Sequence, residues 1–86
     1  MPRISAFHGI VIYMYHDEHL PPHCHAVYAG QYVQVRFKGD IEIIGEFPAG
    51  PARLVRRWAA EHREALMENW ARAGDREALK PIDPVA

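Results

Sequence analysis

Hydrophobic positions along the first half of the chain recur at the period of a strand. Residues 31–37 alternate, with Val33, Val35 and Phe37 on one face and Tyr32, Gln34 and Arg36 on the other. Residues 9–15 form a β-branched and aromatic run. Residues 23–28 follow the Pro21-Pro22 break, and residues 41–46 follow the Lys38-Gly39-Asp40 turn. The later connections are of hairpin length, so the four runs predict an antiparallel meander over residues 8–47.

The period then changes. Gly50-Pro51 opens a helix with proline in its first turn, and Gly74 stands where a C-terminal cap belongs. Between them Leu54, Val55, Trp58, Ala59, Ala65, Leu66, Trp70 and Ala73 fall on one stripe, with Arg53, Arg57, Glu61, Glu64 and Glu68 opposite. Pro81 and Pro84 forbid a helix in residues 75–86, which are expected to be extended. The predicted architecture is α+β, one domain over residues 1–86. A four-stranded antiparallel sheet carries one long C-terminal helix (residues 50–74) on one face, with an extended tail.

Composition narrows the function classes. At 86 residues, with 49% hydrophobic and 24% charged content, the chain is globular rather than disordered. A chain this short buries roughly 64% of its unfolded surface, which leaves little margin over chain entropy, and homodimerisation would help it. A net charge of −1 argues against a general nucleic-acid binder. One cysteine, Cys24, excludes an internal disulfide framework and a multi-cysteine zinc site. The longest apolar run, residues 10–15, is too short for a membrane span or a signal peptide, so a cytoplasmic location is expected.

Histidine is the anomaly: five of the six lie in the first twenty-five residues. His23 and His25 are two apart, so on a strand they share a face, and Cys24, Ala26 and Tyr28 share the other. The second set is the more apolar and should face the helix. That puts His23 and His25 on the open side of the sheet, accessible to solvent, a ligand or a second subunit. Two imidazoles at this spacing suit one divalent transition metal such as zinc, nickel or iron, with His19 as the expected third ligand or His16 in its place. Asp17, Glu18 and Cys24 are weaker candidates. The competing expectation is that these histidines make ordinary hydrogen bonds or line a dimer interface.

His62 and Asn69 interrupt the helical stripe one heptad apart. Each can satisfy a buried backbone group near the tail, or His62 can act as acid or base with Asn69 orienting it. His25, His62 and Asn69 are accordingly the candidates for catalysis. Arg53, Arg56 and Arg57 crowd a helix N-terminus, where the dipole disfavours cations, so an anion or an acidic partner is the candidate there. Trp58 and Trp70 belong to the core stripe. No phosphate-binding glycine loop, nucleophile elbow or paired-carboxylate motif is present.

Four blocks together resemble the small prokaryotic family named domain of unknown function 4160. They are Phe7-x-Gly9-Ile10-x-Ile12-x-Met14-Tyr15, His19-x-Pro21-Pro22-His23-x-His25-Ala26, Trp58-x-x-x-His62-Arg63-x-x-Leu66-x-x-Asn69-Trp70 and Leu79-x-x-Ile82-x-Pro84. Cys24 departs from the phenylalanine usual in the family, as a core-facing position would. The resemblance implies a context: encoding beside small proteins of the domain of unknown function 2442 type, in pairs that look like type II toxin–antitoxin modules. On that basis the chain is expected to be an interaction protein, on the toxin side, meeting a cognate small protein. A histidine-cluster metal protein or small metal-dependent enzyme is the alternative, and a histidine-dependent ribonuclease the weaker one.

Overall fold

A computed structural model describes residues 2–16 and 18–86. The strands are β1 (Arg3–Phe7), β2 (Ile10–Tyr13), β3 (His23–Tyr28), β4 (Gln31–Arg36) and β5 (Glu42–Ile44). They form one antiparallel sheet in the order β1-β2-β3-β4-β5, so each strand pairs with its sequence neighbour. The helices are α1 (Ala49–Glu61) and α2 (Arg63–Gly74). The α+β meander is as the alternation predicts. Two details differ from expectation: the sheet has five strands rather than four, and two helices replace one.

The additional strand, β1, is joined to β2 by a two-residue turn. His8 and Gly9 have φ of 49° and 78°, and Ala29-Gly30 repeats the arrangement between β3 and β4 with 48° and 80°. Two successive positive φ values match the right-handed strand twist, and the second glycine adopts its value without a Cβ penalty. A register shift between Arg3 and Ser5 marks a bulge in the β1–β2 pairing.

The helix divides at His62, whose φ of −117° and ψ of 25° leave the helical region. The hydrogen-bond ladder still reaches across, from His62 N to Trp58 O and from Leu66 N to His62 O. Buried positions Val55, Trp58 and Ala59 on α1 and Leu66, Asn69 and Ala73 on α2 continue one stripe in phase. The division therefore leaves the buried stripe continuous from α1 to α2.

That face covers Ile10, Ile12, Cys24, Ala26, Val33 and Val35, all fully buried. The tail closes the remaining side. Ile82 N donates to Ile4 O at 2.7 Å, and Trp58 Nε1 donates to Asp83 O at 2.8 Å. Among the described residues, no helix is long and apolar enough to cross a membrane.

Candidate metal centre

β3 begins immediately after Pro21-Pro22, and its pleat separates the two side-chain sets as the alternation requires. Cys24 and Ala26 enter the core, and His23 and His25 take the opposite face. The expectation that they lie open to solvent is corrected here: they are only 4% and 7% exposed. Tyr32 stacks on His25 at 5.1 Å and Tyr15 tilts against it at 5.0 Å, while Trp70 of α2 approaches His23 at 5.4 Å. The two imidazoles meet edge to face at 5.1 Å. Strand register accounts for Tyr32, since Val27 pairs with Tyr32 and His25 with Gln34, all on one face.

The loop between β2 and β3 supplies the third member. Glu18 Oε1 accepts a hydrogen bond from His25 Nε2 at 2.7 Å, and Oε2 lies 3.2 Å from His23 Nε2. Glu18, His23 and His25 bring one potential ligand atom each to within 4.8 Å of one another, a grouping able to hold a metal ion. His19, the expected third ligand, is exposed and does not join them. His16 turns its Nε2 to the carbonyl of Glu77 at 3.2 Å. Asp17 lies outside the described residues.

His23 Nδ1 hydrogen-bonds to Pro21 O at 2.8 Å. A carbonyl only accepts, so Nδ1 carries a proton, and whenever the ring is neutral its lone pair is at Nε2. That nitrogen is buried and finds no hydrogen-bond partner among the described residues, as does Nδ1 of His25. It nevertheless faces a carboxylate. Burial pushes the Glu18 carboxyl upward, but the hydrogen bond from His25 and the electrostatic attraction of the two imidazoles outweigh this and hold it below the usual carboxylate range. Glu18 is therefore an anion at neutral pH. Partial burial, the hydrogen bond to Tyr15 and the Glu18 charge push the Tyr32 hydroxyl up to about 12.

A sequence profile for the family described as Domain of unknown function (DUF4160) matches residues 9–71. The chain belongs to this family. The match includes the β2–β3 loop, the whole of β3 and all three members of the cluster, but the family description assigns no activity and names no partner. Comparison with curated proteins and with solved structures gives no match.

The other candidates occupy separate places. Asn69 is fully buried and clasps the tail: its Nδ2 donates to Lys80 O at 2.8 Å, and Lys80 N donates to its Oδ1 at 2.9 Å. His62 sits at the helix division with its ring 5.8 Å from that of Trp58. Neither is a member of the His25 cluster. Arg56 donates to Ile41 O, Arg57 donates to Ala86 O and pairs with Glu61 at 3.6 Å, and Arg53 is exposed. Cys24 is buried, and burial pushes its thiol pKa well up, so no thiolate is offered to a metal.

Sequence reasoning ranked Glu18 below His19. One signal could have reversed the order. The nine residues between β2 and β3 form the longest strand connection, and their carboxylates are close enough in sequence to fold back over the start of β3.

Proposed function

We propose that this protein binds one divalent transition-metal ion through His23, His25 and Glu18. The observation that carries the reading is the lone pair of His23 Nε2 facing the Glu18 carboxylate at 3.2 Å. Two acceptors at that distance repel unless a proton or a metal ion lies between them, and a metal ion is the occupant that would also engage His25. A metal ligand histidine characteristically donates its other ring N–H to a backbone carbonyl, the role Pro21 O plays for His23.

The donor set is two imidazoles and one carboxylate. It suits zinc, with a fourth position open to water or an exogenous ligand, or iron(II) in the facial two-histidine, one-carboxylate arrangement. Imidazole nitrogen argues against calcium and magnesium, which prefer all-oxygen sites. Aromatic walls formed by Tyr15, Tyr32 and Trp70 lower the local dielectric and strengthen the ion's hold on its ligands.

The test is competition between the untagged protein and a chromophoric chelator for zinc. The parent chain and His19→Ala are expected to bind one ion per chain with like affinity. Glu18→Gln is expected to bind roughly 10–100-fold more weakly, because it loses the only charged ligand. Equal affinity of Glu18→Gln and the parent would remove Glu18 from the site.

A further inference from the structure

Aromatic rings cover both imidazoles, and a recess next to the cluster opens at Glu18. It is a pocket of about 180 Å³ between the β2–β3 loop and the C-terminal end of α2. Its apolar walls are Tyr15, Leu20, Trp70 and Ala73, and its polar groups are Glu18 and His16. Tyr15 also touches His25, and Trp70 also touches His23. Glu18 is thus common to the pocket and the cluster, and Tyr15 and Trp70 line the one while touching the other, so a ligand in the pocket would meet an ion held by the cluster on its Glu18 side.

We infer that this pocket binds a small monocarboxylate, its carboxylate on the metal and its apolar body against Trp70, Leu20 and Ala73. The inference rests on the metal reading above. Charge selects the head group: a divalent ion with two neutral imidazoles and one carboxylate keeps one positive charge, which a monoanion neutralises in a weakly polar recess. Volume selects the body. An apolar cavity of ~150 Å³ accepts benzene, so 180 Å³ holds one six-membered ring or a short branched chain and little more. Leu20 is 78% exposed where it lines the recess, and an apolar ligand body would cover part of it.

The experiment uses the full chain loaded with cobalt(II), whose visible bands report ligand exchange, and titrates it with benzoate and with acetate. Benzoate is expected to shift the bands and to bind roughly tenfold or more tightly than acetate, because only its ring leaves water. Two variants locate the ring. A Cβ at Gly74, which lines the pocket, would meet no atom within 4 Å, so Gly74→Leu can fill the recess without a clash at that atom. Leu20→Ala removes an exposed wall residue. Both are expected to keep the cobalt bands and to lose most of the preference for benzoate. Equal affinity for the two anions in the parent chain, or an undiminished preference in both variants, would overturn the inference and leave the metal reading standing. Failure of the parent chain to take up cobalt would overturn both.

Discussion

His23 donates its Nδ1–H to the carbonyl of Pro21, two residues before it, at 2.8 Å. The bond fixes the ring's tautomer and aims Nε2 at Glu18 from within a single loop-to-strand junction. Pro-Pro-His-x-His is thereby one structural unit: the prolines carry the carbonyl, the strand carries both imidazoles on one face, and the preceding loop returns the carboxylate.

Metal should stabilise the fold measurably, because the three ligands converge only when the β2–β3 loop is seated on β3. At free metal a hundredfold above Kd the gain is about 2.7 kcal/mol. For a domain of this size that raises Tm by roughly 10–20 °C. Thermal melts with zinc and with a chelator check this. Glu18→Gln and the His23→Ala, His25→Ala double variant should show little or no zinc-dependent shift.

Asn69 should behave as a structural residue. Its amide makes both hydrogen bonds that hold Lys80, from a fully buried position on α2. Asn69→Ala is expected to cost about 2–3 kcal/mol, seen as a lower urea midpoint at unchanged m, with faster amide exchange through the tail. Zinc affinity should not change. Loss of metal binding with intact stability would instead place Asn69 in the site.

Cys24 should be chemically silent. It is fully buried, and burial pushes its thiol pKa up, so thiolate is scarce while the chain is folded. Alkylation should be slow in buffer and rise in step with urea unfolding. Rapid modification of the folded protein would contradict the placement of Cys24 in the core.

Tyr32 gives a pH dependence on the alkaline side. Its pKa is raised from 10.0 to about 12, so the folded state favours the protonated phenol. The associated stability is fully present below pH 10 and is lost as pH rises towards 12. Denaturation of the parent and of Tyr32→Phe across this range should show an advantage for the parent that fades with rising pH. The phenolate absorbance titration of Tyr32→Phe should lack the highest step.

Much of the fold was legible because its signals are periodic. Val33, Val35 and Phe37 are buried as their alternation requires, and the position of Cys24 against His23 and His25 followed from parity. β1 was missed because its two large apolar residues, Ile4 and Phe7, are three apart, and the irregularity between Arg3 and Ser5 breaks the strand alternation. Its real signal was the His8-Gly9 pair, which sets a two-residue turn between Phe7 and Ile10. The helix division at His62 had no local marker, since neither proline nor glycine occurs between Ala52 and Ala73. At the site the strand-borne histidines were readable, whereas Glu18 and the covering Tyr15 and Trp70 were not. Their placement depends on how a nine-residue loop closes and where α2 ends, and neither has a sequence period.

The most direct measurement is native mass spectrometry of the untagged chain after zinc exposure and desalting, beside the His23→Ala, His25→Ala double variant. The predicted result is one zinc ion per chain for the parent and none for the variant. A metal-free parent, or equal zinc in both, would contradict the account.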